Sequence, residues 1–121
     1  MKRGFTLVEL LVVMAIIATL LTLVTPRYFK HVEHSKEVVL RENLATVRDA
    51  IDKFHADTNT WPADLQSLAD KHYIRTVPKD PVTDRSDTWV LVPPSDGSDG
   101  VYDLHSGAAG DAQDGSPFSE W

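Results

Sequence analysis

Apolar residues fall along this chain in three successive patterns. From Phe5 to Val24 the run is continuous apart from small hydroxyl residues and a single charge, Glu9. A helix needs about 20 apolar residues to cross a bilayer, so this run predicts a membrane-spanning helix. Beyond it the period becomes helical and one-sided. Leu40, Leu44, Val47, Ile51 and Phe54 recur at steps of 4, 3, 4 and 3, one stripe of an amphipathic helix. Arg41, Glu42, Arg48, Asp49, Asp52 and Lys53 lie between them and read as the solvated face. Residues 28 to about 55 would continue the first helix for roughly 40 Å. Pro26 lies between the two patterns, where its missing N–H predicts a kink or local melting.

The third pattern is short and broken. Asp57-Thr58-Asn59-Thr60 interrupts the period and Trp61-Pro62 closes the helical region. Asp64 to about Lys71 predicts a short second helix. Trp89-Val90-Leu91-Val92 reads as a strand, residues 95–100 as a turn, and Val101-Tyr102-Asp103-Leu104 as the returning strand. The rest, from His105, is a loop rich in Gly, Ala, Ser and Asp that ends at Phe118 and Trp121, and no internal repeat is present.

Length and charge narrow the function. The roughly 97 residues after Val24 suffice for one small domain with a modest core. From Asp57 to Trp121 there are twelve Asp and Glu against four Lys and Arg. An acidic domain of this kind is a poor partner for nucleic-acid phosphates. Lys2 and Arg3 on one flank of the apolar run face Arg27 and Lys30 on the other, so the positive-inside rule does not decide orientation. A secretory signal peptide has a shorter apolar region and a small-residue cleavage site after it. No Ala-x-Ala site follows this run, and Glu9 interrupts its start.

The residues Gly4-Phe5-Thr6-Leu7-Val8-Glu9, behind a short basic leader, resemble the class III signal of type IV pilins and type II secretion pseudopilins. The resemblance implies a prepilin peptidase that cuts between Gly4 and Phe5 and methylates the new amine of Phe5. Pro26 lies where this family often carries a helix-loosening proline. The C-terminal half is similar, more loosely, to the major pseudopilin of type II secretion. It shares a Tyr73-Ile74 … Pro78-Lys79-Asp80-Pro81 segment, departs from the family at Val82-Thr83-Asp84, and has no cysteine with which to staple its C-terminal loop.

The implied fold is α+β and type IV pilin-like: a long N-terminal helix, its first half transmembrane, packed on a small antiparallel sheet with a C-terminal loop. The implied organisation is a leader over 1–4, an assembly and membrane segment over 5–26, and a periplasmic domain over 27–121. The implied role is structural rather than enzymatic: a subunit of a homo-oligomeric helical pseudopilus on an inner-membrane platform with minor pseudopilins, single-pass in the bacterial inner membrane, supporting export of folded proteins. The alternatives are a type IV pilin or minor pilin of a surface fibre, and a monomeric membrane-anchored binding domain.

Two constellations could carry chemistry. Glu9 is a carboxylate at bilayer depth, which costs roughly 2.5 kcal/mol or more unless it finds a partner. In a filament it can meet the amine of a neighbour's Phe5 and set the axial register. The second is residues 106–115, an Asp- and Gly-rich loop. Calcium takes six to eight oxygens from carboxylates and carbonyls on such loops. By the family resemblance Asp111 and Asp114 would supply side chains to Ca2+, with Leu104 and Ser106 nearby; the competing reading is a solvated tail. Asp96-Gly97-Ser98-Asp99-Gly100 reads as a hairpin turn. His31 and His34 lie one turn apart with no third metal ligand indicated, and no Ser/His/Asp spacing, phosphate loop or HExxH run is present.

Overall fold

The computed structural model describes residues 4–121; Met1, Lys2 and Arg3, the basic leader of the processing motif, lie outside the described residues. The chain divides into two compact units, Met1–His34 and Ser35–Trp121.

Helix α1, Leu7–Thr58, is one uninterrupted element of 52 residues. Pro26 lies inside it, so the expected local melting does not occur. Proline removes only the hydrogen bond to the carbonyl of Thr22, and the helix on either side is many turns long, so propagation outweighs one lost bond. The helix ends at Thr58, where Asn59 takes a left-handed φ of 56° and donates its N–H to the His55 carbonyl at 2.8 Å. Asn tolerates that conformation, as the helix C-terminus requires.

The predicted stripe is the core of the second unit. Leu40, Leu44, Val47, Ile51 and Phe54 are all buried, joined by Ala50. Helix α2, Leu65–Asp70, covers one end of that stripe with Leu65 and Leu68. Asp64 starts it as an N-cap, accepting from the Ser67 N–H at 2.8 Å. Tyr73 then packs edge-on against Phe54 and donates its hydroxyl to Asp57 at 2.7 Å.

The sheet is a two-stranded antiparallel ribbon of β1, Val90–Val92, and β2, Asp103–His105. Val90 faces His105, Leu91 faces Leu104 and Val92 faces Asp103. Both strands begin later than the sequence predicts. Trp89 is drawn inward, where its indole donates to the Pro78 carbonyl at 2.9 Å. Val101 donates to the Pro62 carbonyl at 2.8 Å rather than to β1. Leu104, at the centre of β2, is fully buried beneath the helix stripe. A short 3-10 turn, Phe118–Glu120, ends the chain and buries Phe118. The architecture is the α+β, pilin-like one that the sequence predicts.

Candidate functional site

In the first unit, Gly4, Phe5 and Thr6 precede the helix and are exposed, so the peptide bond between Gly4 and Phe5 is open to approach. Nothing lies within 4 Å of the position a Gly4 side chain would take. Thr6 is the N-cap of α1: its hydroxyl accepts from the Glu9 N–H at 3.1 Å, and its carbonyl from the Leu10 N–H at 3.1 Å. Sequence reasoning passed over Thr6, although Thr-x-x-Glu is the capping-box spacing and was there to be read. The cap begins the helix two residues after the Gly4–Phe5 bond. Glu9 lies in the first turn with its side chain exposed, where the positive end of the helix dipole favours a carboxylate.

Every large apolar side chain from Phe5 to Val24 is exposed, including Phe5 at 81% and Leu7 at 74%. Soluble monomers rarely present so long an apolar surface. The threonine hydroxyls toward its end are internally satisfied: those of Thr19, Thr22 and Thr25 donate to the carbonyls of Ala15, Thr19 and Leu21 at 2.8, 2.6 and 2.7 Å. That back-bonding lets three threonines lie on a surface meant for lipid or for apolar neighbours. The helix is long and apolar enough to cross a membrane, with a mean hydropathy of 2.7 in its most apolar stretch. Pro26 is exposed just beyond this surface.

In the second unit the C-terminal loop is well anchored. Ala108, Ala112 and Phe118 enter the core. The Gln113 N–H donates to Glu37 at 2.6 Å, Ala112 and Phe118 bond within the loop to Ser116 and Gly110, and Asp111 bridges to Pro117. Trp121 stacks edge-on against Phe118, donates its indole N–H to the Ser116 hydroxyl at 2.9 Å, and lies 4.4 Å beneath the Arg41 guanidinium. Arg48 reaches Asp103, Leu104 and Trp121. Arg41 and Arg48, expected to be merely solvated, therefore hold the C-terminal loop, together with Glu37 one turn before Arg41.

Three of the four residues expected to hold calcium have other partners. Ser106 is fully buried and donates its hydroxyl to Asp80, itself fully buried, at 2.5 Å. The Leu104 carbonyl accepts from Arg48 at 2.8 Å. Asp114 accepts from the Ser116 hydroxyl at 2.6 Å and its N–H at 2.9 Å, and pairs with Arg41 at 3.6 Å. Those two Ser116 contacts, with Arg41 beside them, hold its carboxyl below the ordinary carboxylate range. Asp111 is exposed. Among the described residues no three His, Cys, Asp or Glu side chains gather where they could share a metal ion. As arranged, this donor set does not fit a calcium ion. Gly107 in this loop lies against the Thr88 carbonyl, where a Cβ would fall 1.9 Å from the oxygen.

Residues 1–25 match the family described as the prokaryotic N-terminal methylation motif. Over 87% of its length the chain is 31% identical to the type II secretion system core protein G of Escherichia coli K12, covering 80% of that protein. The chain belongs to the type II secretion system core protein G family. The Klebsiella pneumoniae member is 29% identical over 85% of this chain and 84% of its own length. A fimbrial protein, EcpC of Eikenella corrodens, is 33% identical over 52% of this chain and 41% of its own. No solved structure gives a significant match. Family membership makes the chain a pseudopilin, a structural component and not an enzyme, with an N-terminal methylation motif on a membrane-competent helix.

Proposed function

We propose that this chain is cut between Gly4 and Phe5 by a prepilin peptidase, methylated on Phe5, and assembled into a helical pseudopilus that supports export of folded proteins. The observation that carries the reading is the exposed apolar helix surface from Phe5 to Val24 with one carboxylate, Glu9, in its first turn. Before assembly that surface is solvated by lipid. In the filament the same surface packs on neighbouring helices, through close van der Waals contact rather than through the hydrophobic effect. Glu9 then pairs with the Phe5 amine of a neighbouring subunit, which offsets the desolvation of both charges and fixes the register between subunits. The flanking charges leave the orientation open, and it is the processing motif and the secretion relatives that support a basic leader on the cytoplasmic side of the inner membrane and an acidic domain in the periplasm.

The fimbrial relative keeps a surface fibre in view, yet it matches over 52% of this chain, whereas the secretion relatives of Escherichia coli and Klebsiella pneumoniae match over 87% and 85% of it. The reading is tested in cells carrying a secretion system that lacks its own major pseudopilin. Wild-type chain should restore secretion, and its mass should fall by residues 1–4 only when the peptidase is present. Gly4→Leu should remain uncut, and Glu9→Ala should be inserted and cut yet yield no filament. Normal secretion by Glu9→Ala, or an unchanged mass of the wild-type chain with active peptidase, would overturn it.

A further inference from the structure

The helix stripe 37–48 and the C-terminal segment meet through charge. Glu37, Arg41 and Arg48 follow at steps of 4 and 7, which places them along one face of α1 beside the core stripe. Glu37, buried to 9% exposure, receives the Gln113 N–H at 2.6 Å. Arg41 covers Trp121 and faces Asp114. Arg48 goes furthest. Its Nε donates to Asp103 Oδ1 at 2.7 Å, and its Nη2 donates to the main-chain oxygens of Leu104 at 2.8 Å and Trp121 at 3.0 Å. Three oxygens from two separate stretches of chain thus converge on one fixed positive charge.

We infer that Arg48 is the resident cation of this domain's C-terminal loop, doing with a guanidinium what a bound divalent ion would otherwise do, so that residues 105–121 close without metal. A calcium ion binds its oxygens at about 2.4 Å, so an ion on the Leu104 carbonyl would lie within about 5 Å of the Arg48 nitrogen. Like charges that close exclude one another. Of the other expected ligands only the exposed Asp111 carboxylate is uncommitted, and one carboxylate falls well short of the six to eight oxygens calcium takes. Ser106 faces the buried Asp80, and both Asp114 oxygens have partners in Ser116 and Arg41. The planar fork of arginine matters here, because Nε and Nη2 point to different acceptors in a fixed geometry that an ammonium cannot reproduce. The apolar contacts of Ala108, Ala112 and Phe118 add burial that needs no ion.

The test is hydrogen exchange, read peptide by peptide on the full chain in detergent micelles, with millimolar calcium chloride or with chelator. Wild type should show equal protection of the Ala112, Gln113, Phe118 and Trp121 amides in both conditions. Arg48→Ala should speed exchange there by about tenfold or more in both, and leave the α2 amides and those around Val47 and Ile51 unmoved. Arg48→Lys should retain only a small part of the protection. Protection in wild type that rises about tenfold with calcium would overturn the inference, and so would a C-terminal segment as protected in Arg48→Ala as in wild type. The wild-type comparison stands whether or not the Arg48 variants fold.

Discussion

Replacing Asp80 with Ala should be among the most damaging single changes to the domain. The carboxyl is fully buried, and both of its oxygens are in use. Oδ1 accepts from the Val82 N–H at 2.8 Å and Oδ2 from the Ser106 hydroxyl at 2.5 Å. Ser106 in turn accepts from the Ala108 N–H at 3.1 Å, so the pair joins the Pro-x-Asp-Pro segment to the loop after β2. Alanine leaves two donors without their acceptor. Each buried unsatisfied donor costs about 1–3 kcal/mol, and the carboxyl's volume is lost as well. The expected loss is about 3–5 kcal/mol, a large part of the total for a small domain. Asp80→Asn keeps one oxygen and can donate to Ser106, so it should cost about 1–2 kcal/mol. Denaturant unfolding of the full chain in detergent, followed by tryptophan fluorescence, reads these values, and a double-mutant cycle with Ser106→Ala should give a coupling of about 1 kcal/mol or more. An Asp80→Ala loss below about 0.5 kcal/mol would mean that the buried carboxyl does not hold these two segments together, because that is the level of an ordinary surface change.

Gly107→Ala should destabilise by about 3 kcal/mol or more, since the Thr88 backbone must move away from the new methyl; a melting temperature within a degree of wild type would contradict the packing. Asp64→Ala should lower the melting temperature by removing the α2 N-cap, with the loss of order confined to residues 64–74 in hydrogen exchange. The Asp64 carboxyl is held below its ordinary value of 3.8, mainly by the Ser67 N–H and then by the Ser67 hydroxyl. A depressed folded pKa gives stability that is present above the unfolded value and is lost as pH falls through the folded one. The cap's contribution should therefore be constant above about pH 5 and fall away below 3.8, and melting curves of Asp64→Ala should show a smaller acid loss than wild type.

Much of this molecule could be read from its order of residues, and what could not has a physical reason. The stripe from Leu40 to Phe54 was legible because a helix repeats every 3.6 residues and the same five side chains form the core. The short helix beginning near Asp64 and the turn between the strands were legible because their backbone geometry favours particular residues. The strands were located only to within two residues, because Trp89 and Val101 spend their hydrogen bonds on Pro78 and Pro62. Arg48 was unreadable. Its acceptors lie 55 to 73 positions away, and a lone arginine beside an apolar stripe looks like any solvated charge. The C-terminal loop misled for a related reason. Its composition promised little burial, yet Ala108, Ala112 and Phe118 are spaced along it so that each reaches the core.

Glu9 and the exposed helix are proposed to act between subunits, and the structure of the assembled filament would show whether they do. Filaments sheared from cells expressing the processed chain, imaged to side-chain resolution, should place the Glu9 carboxylate within about 4 Å of the methylated Phe5 amine of a neighbouring subunit. The apolar side chains from Phe5 to Val24 should be packed against neighbouring helices. A filament in which Glu9 faces solvent and the Phe5 amine lies elsewhere, or one that forms equally well from Glu9→Ala, would contradict it.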